Sequence, residues 1–171
     1  MICLVLNCWI NGGFTMTFKP IYYFTFLFIP ILSYSQINAK VIGIKDGDTI
    51  VVLLKDKTQQ TLRLAEVDCP ESGQAFGKNA KQFTSDAVFG KEITFEETNQ
   101  DRWGRTIAKV YYDDNLYLSA EIIKAGMGWW YYRYSDDESL GELESEAKEN
   151  KRGLWKDPHA IAPWEFRRSE R

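Results

Sequence analysis

The sequence predicts an α+β fold, a five-stranded Greek-key β-barrel of the OB type carrying three α-helices. Three observations lead there. β-Branched apolar runs alternate with strong turn signals, apolar residues at helical spacing begin only after the third such run, and no internal repeat or low-complexity stretch breaks the pattern.

Residues 41–44 and 50–54 are the first two strands, separated by Lys45-Asp46-Gly47-Asp48, a strong turn signal. A second polar turn over 56–60 leads to a strand over 61–67, so the first three strands run in meander order. Gly73 ends the next loop, and Phe76, Ala80, Phe83 and Ala87 then recur at helical spacing. Residues 92–96 and 106–112 are the last two strands, and Asp113-Asp114-Asn115 is the turn after them. Leu118, Ile122 and Ala125 mark a second helix that stops at Gly126. A third is signalled by Ser135 and Ser139, each followed three residues later by a glutamate in capping-box spacing, and by Leu140, Leu143 and Ala147. Trp155 is assigned to the core.

Three regions follow. Residues 1–35 carry no Asp or Glu and a single charge, Lys19. A basic start at Met16, an apolar run over 21–32 and small residues at Ser33 and Ser35 read as an export leader cut before Gln36. The run is about a dozen residues, short of the roughly 20 that span a bilayer. The alternative is an uncleaved anchor. Residues 36–157 form the main domain, and 158–171 a basic tail whose arginines, Arg167, Arg168 and Arg171, either add phosphate contacts or solubilise the terminus, the second reading being favoured. Cleavage would leave Cys69 as the lone cysteine, so stability rests on the core and not on a disulfide.

With a formal net charge of −3 the whole chain lacks the basic footprint usual for a nucleic-acid binder. Any such role needs positive charge concentrated at one site. A bound cation would also have to offset local carboxylates, and the candidate chemistry concentrates in three short segments: Asp46-Gly47-Asp48-Thr49, the stretch Arg63 to Glu71, and Asp101-Arg102-Trp103-Gly104-Arg105. Each alone has a bland explanation as a turn, a solvated strand or a hairpin. Together they match the needs of phosphodiester hydrolysis, in which negative charge grows on the equatorial oxygens. Asp48 and Asp68 can give hard oxygen ligands, Arg63 and Arg105 can give forked hydrogen bonds, and Glu71 can address the water. His159, the lone histidine, lies in the tail, which excludes an ordinary His/Cys zinc site and a Ser–His–Asp triad in the barrel. Carboxylate and carbonyl donors favour Ca²⁺ or Mg²⁺, and export favours Ca²⁺.

The ordered motifs Asp-Gly-Asp-Thr, Arg-Leu-x-x-Val-Asp-x-Pro-Glu and Asp-x-x-Gly-Arg resemble the signature of the staphylococcal nuclease (thermonuclease) family, over about residues 39–155. The resemblance implies an OB-type barrel with three helices and Ca²⁺-dependent cleavage of DNA and RNA. It makes Asp48 and Asp68 the calcium carboxylates, with Cys69 a ligand through its backbone carbonyl. It also makes Glu71 the water-activating residue, Arg63 and Arg105 the phosphate clamps, and Tyr132 and Tyr134 the tyrosines beside the nucleotide. The sequence departs from the family pattern at Cys69, at Trp103, in a shorter loop after Glu71 and in the tail. The expected protein is an exported monomer, extracellular or periplasmic, free of stable membrane association once the leader is removed. A catalytically inactive OB-fold nucleic-acid-binding module is the alternative, although such a copy would be expected to lose one of the five acidic and arginine positions. A membrane-tethered adhesion or scaffold protein is the third reading.

Overall fold

Alternating burial sets the barrel walls. In β6 (Thr106–Tyr112) every second residue, Thr106, Ala108, Val110 and Tyr112, is buried, as a half-solvated strand requires. The other walls are β1 (Ile37–Asp46), β2 (Thr49–Leu54), β3 (Gln59–Leu64) and β5 (Glu92–Gln100). Ala39, Val41, Ile50, Val52, Leu62, Leu64, Ile93 and Phe95 point from them into one shared core. This is a computed structural model, and it describes residues 36–170. The leader expected over 1–35 lies outside the described residues, and so does Arg171.

The strands follow the order β3-β2-β1-β5-β6, and β3 then pairs in parallel with β6 to close the barrel. Closure leaves these five strands no free edge, the usual reason a small sheet curls on itself. The sequence expectation of a five-stranded OB-type barrel holds. α1 (Gly77–Val88) packs on β1, and α2 (Leu118–Lys124) on β6 and on α3 (Glu138–Glu149). No described helix is long and apolar enough to cross a membrane.

Three details differ from the sequence reading. The strand expected over 61–67 breaks after Leu64, because Glu66 takes a left-handed conformation at φ 67°. The chain resumes as the two-residue β4 (Val67–Asp68), which pairs in a separate small sheet with β8 (Trp129–Trp130); β7 (Leu116–Tyr117) lies between them in sequence. A left-handed conformation costs a non-glycine residue about 1 kcal/mol or more. Here the Glu66 carboxylate offsets it by accepting from Tyr117 Oη at 2.8 Å and Ser135 Oγ at 3.2 Å and pairing with Lys109 Nζ at 3.1 Å.

The third helix is capped by Asp137, whose side chain accepts from the Ser139 N–H at 3.1 Å, and not by either serine. Ser135 is drawn instead to Glu66. Finally, the described residues hold four α-helices and not three. The tail forms α4 (Pro163–Ser169), with proline at the start of the helix, where a missing N–H costs nothing. It rests on a second small apolar cluster of Trp129, Leu154 and Ala162, flanked by Phe76, Trp155, Ala160 and Trp164. Trp155 is therefore packed on an outer cluster, edge-on to Trp129, and not in the barrel core.

The turn between β1 and β2 is held from below by α1. Thr84 Oγ1 donates to the Gly47 carbonyl at 2.6 Å, and a Cβ at position 47 would meet the Cβ atoms of Ala80 and Cys69, each at 2.8 Å. Neither neighbour is the free end of a flexible side chain, so Gly47→Ala must push the turn off the helix. An overpacked site of this kind costs about 1–3 kcal/mol. Chemical denaturation should show that loss, and an unchanged midpoint would mean that the turn and helix are less tightly docked than described.

Candidate active site

Asp48 leaves the β1–β2 turn with its carboxylate directed inward, and the residue is 6 % exposed. Its Oδ2 accepts from the Cys69 N–H at 2.7 Å and Oδ1 from Thr49 Oγ1 at 3.2 Å, while its own carbonyl accepts from the Leu64 N–H at 2.8 Å. The turn is therefore stitched to both sides of the strand break. Asp68, at the end of β4, is 1 % exposed. The kink at Glu66 aims it at Asp48.

Arg63 ties the two together. Its Nη1 donates to the carbonyls of Leu64 at 3.0 Å and Val67 at 2.9 Å. Its Nη2 donates to Asp68 Oδ1 at 2.8 Å and forms an ion pair with Asp48 Oδ2 at 3.2 Å. Those four contacts match the four terminal N–H groups of a guanidinium, leaving Nε–H without a partner among the described residues. Arg63 thus organises the site before it could grip any ligand.

Burial pushes the Asp48 carboxyl up to about 7; Arg63 opposes that rise, and the carboxylates of Asp46 and Asp68 add to it.

The other expected residues surround this pair. Glu71 follows Pro70 at the rim, its side chain 39 % exposed. Its backbone N–H donates to Gln74 Oε1, and Gln74 Nε2 in turn donates to the Ile161 carbonyl of the tail. Arg105 sits in the β5–β6 hairpin, where Asp101 Oδ2 accepts from its Nε at 2.7 Å and Asp101 Oδ1 from the backbone N–H groups of Trp103 and Arg105. This leaves both Arg105 Nη groups without a protein partner among the described residues. No described contact joins Arg105 to Asp48, Asp68 or Glu71; the parallel β3–β6 register, with Arg63 opposite Ile107, brings its hairpin to the same end of the barrel. Tyr132 and Tyr134 lie on a 3-10 turn directly after β8 and are 51 % and 71 % exposed.

One member of the cluster was missed in the sequence. Arg167, on α4, donates from Nη2 to Asp68 Oδ2 at 2.7 Å and from Nη1 to Glu71 Oε1 at 2.7 Å and Asp68 Oδ1 at 3.3 Å. One helical turn back, Trp164 stacks on Tyr131 with centroids 5.7 Å apart and planes within 4°. The tail therefore walls the site. A turn signal at Pro163 and an i, i+3 pair of Trp164 and Arg167 were the only hints, and neither points to a partner nearly a hundred residues away.

Cys69 contributes backbone, not sulfur. Its side chain is buried, and a Cβ at Gly128 would meet its Sγ at 3.1 Å. Burial and the nearby Asp48 hold the thiol well above its usual range, Arg63 only partly opposing them. It is a packed thiol and not a thiolate nucleophile.

The staphylococcal nuclease homologue family matches residues 61–157, more than half of the chain. A micrococcal nuclease from Shigella flexneri is 37 % identical over 155 residues, covering 85 % of this chain and 88 % of that protein. An uncharacterised endonuclease from Haemophilus influenzae is 38 % identical over 134 residues, 78 % of this chain and 75 % of that one. The protein ParB of Escherichia coli is 38 % identical over 147 residues, 80 % and 82 % of the two chains. The chain belongs to the staphylococcal nuclease family. It is a hydrolase of the endonuclease type, as its nuclease-named relatives and the matched domain indicate. The family match begins after Asp48 and ends before α4, so the nuclease segment with the best family support is β3 through the 3-10 turn Gly153–Lys156.

In this nuclease Cys69→Ser is expected to keep turnover within a few-fold of wild type, because Ser is of similar size and the peptide groups are unchanged. Thiol alkylation of the native protein should be slow. Rapid labelling, or a Ser variant as inactive as one lacking Asp68, would show that the sulfur takes part.

Proposed function

We propose that this nuclease is an exported, calcium-dependent enzyme that hydrolyses phosphodiester bonds of DNA and RNA, with water attacking phosphorus in line with the leaving oxygen. The observation that carries the proposal is the convergence of two deeply buried carboxylates, Asp48 and Asp68, on the Nη2 group of Arg63, with Glu71 at the rim beside them. Asp48 and Asp68 would hold the cation with the Cys69 carbonyl. This hard-oxygen donor set suits Ca²⁺, whose coordination tolerates irregular geometry and several waters. Among the described residues no three or more His, Cys, Asp or Glu side chains form a metal-holding group, so the proposed site rests on two carboxylates and one main-chain carbonyl, with its other positions taken by water and phosphate oxygens. When bound, the ion supplies a positive charge against the phosphate and the charge that develops on it.

The remaining roles fall to side chains. Glu71, half-exposed at the rim, orients the attacking water and accepts its proton as the new P–O bond forms. Arg105 offers its two free Nη groups as a fork for phosphate, and Arg63 offers Nε while holding the carboxylates in place. Tyr132 and Tyr134 present exposed rings beside β4, where bases of a single strand can stack at about 1–3 kcal/mol each. A single small domain is consistent with a monomer. All five acidic and arginine positions of the family pattern are present, which favours this reading over an inactive binding module.

Purified protein should release acid-soluble nucleotides from single-stranded DNA, duplex DNA and RNA with Ca²⁺, much less with Mg²⁺, and not with chelator. Asp48→Ala and Asp68→Ala should each abolish that activity. Undiminished cutting in chelator would remove the metal from the mechanism.

Arg105→Lys keeps the charge but not the planar fork. Loss of a preorganised donor to developing charge costs about 2.7–4 kcal/mol, roughly 100- to 1000-fold in kcat. Near-normal turnover in that variant would make Arg105 a hairpin residue only. Arg63→Lys should lose activity and also stability, since Lys cannot serve four acceptors.

Export rests on the basic start and the apolar run over 21–32. Intact mass of secreted protein is expected to correspond to a chain beginning at Gln36, and a cell-bound product that retains the run would make the enzyme an anchored one.

A further inference from the structure

α4 is joined to the rest of the protein by two kinds of contact. Trp164 stacks on Tyr131 and meets Tyr132 edge-on, while Arg167 reaches past them to Asp68 and Glu71. Both oxygens of Asp68 are occupied: Oδ2 by Arg167, and Oδ1 by Arg63 at 2.8 Å and Arg167 at 3.3 Å. Asp68 itself is 1 % exposed. Of the two guanidinium side chains on this carboxylate, Arg167 is the more exposed, at 39 % against 13 % for Arg63. Arg63 is anchored by two main-chain carbonyls and cannot leave without disturbing the strand break. Arg167 has no such anchor; its described hydrogen-bond partners are the two carboxylates.

We propose that Arg167 is the resident counter-ion of the metal site, a positive charge on the C-terminal helix that neutralises Asp68 and Glu71 until a divalent cation takes Asp68 from it. The proposal rests on the reading of Asp48 and Asp68 as the metal carboxylates. A guanidinium and a divalent cation on the same carboxylate repel each other, so each is bound at the other's expense. By linkage the effect is reciprocal: whatever Arg167 subtracts from cation affinity, the cation subtracts from the docking of α4. Displacement also frees Glu71 Oε1 from its ion pair, leaving both carboxylate oxygens without a cationic side-chain partner among the described residues.

Calorimetric titration with Ca²⁺ alone tests this in the wild type, in Arg167→Gln and in each combined with Asp48→Asn. Arg167→Gln is expected to bind Ca²⁺ roughly ten-fold more tightly than wild type, the size of effect expected from removing a partly exposed competing ion pair with bidentate geometry. Equal or weaker binding would overturn the proposal and leave Arg167 a structural tie or a phosphate donor. Asp48→Asn should remove binding in both backgrounds; if binding survives it, the assignment of the metal carboxylates fails independently of Arg167. Absence of Ca²⁺ binding in wild type and Arg167→Gln alike would overturn both. Hydrogen exchange on unmodified protein gives a second readout that no substitution can confound. Ca²⁺ should speed exchange of the amides over 163–169, and slower or unchanged exchange there would overturn the proposal.

Discussion

The Arg63 guanidinium is the interaction on which the site depends. Two carboxylates buried this deeply would each cost several kcal/mol to remove from water, and the cost is recovered only with close, well-aligned partners. Arg63 provides them, and spends its other two terminal N–H groups on the carbonyls of Leu64 and Val67, which flank the break between β3 and β4. The same side chain thus closes the backbone hydrogen bonds that the break would leave open and holds the charges that the break brings together. A strand running straight through 61–67 would alternate its side chains in the ordinary way, and Asp68 would not be turned toward Asp48.

Around that centre the protein divides its labour. The barrel and α1 fix the Asp46-Gly47-Asp48 turn through ordinary packing and one buried hydroxyl. Glu66, with three side-chain partners from β6, β7 and the segment before α3, fixes the kink. By contrast, α4 and the 3-10 turns around Tyr132 and Trp155 rest on a small outer cluster and on aromatic stacking. Local opening free energies usually follow that difference in buried apolar contact, so the rigid side of the site is the one holding Asp48, Asp68 and Arg63, and the looser side holds the tyrosines and Arg167.

What could be read in advance follows the range of the interactions involved. The apolar run Ile50 to Leu54 and the stretch Thr106 to Tyr112, each next to a turn signal, are local features, and they marked those strands correctly. The aspartates and arginines of the three motifs were legible because their residue types and spacing together are demanding. The kink at Glu66 was not: nothing in Ala65-Glu66-Val67 is a turn signal, and its left-handed conformation is held by residues 43 to 69 positions away. Asp137 took the cap from Ser135 because Glu66 recruited that serine, a competition invisible along the chain. Arg167 read as a solubilising charge because its two partners lie nearly a hundred residues earlier.

The close approach of Gly47 to Ala80 and Cys69, and of Gly128 to Cys69, has a consequence for how such a sequence can vary. Positions 47, 69, 80 and 128 share a fixed volume between the β1–β2 turn, the segment after β4, α1 and the segment leading into β8. Position 69 meets the Asp48 carboxylate through its backbone N–H, while its side chain lies against Gly47 and Gly128, so its bulk is constrained. Any lineage that enlarges one of these four side chains must shrink another or let the loop carrying Asp48 move. Substitution at the heart of this enzyme is therefore governed by a steric conservation law.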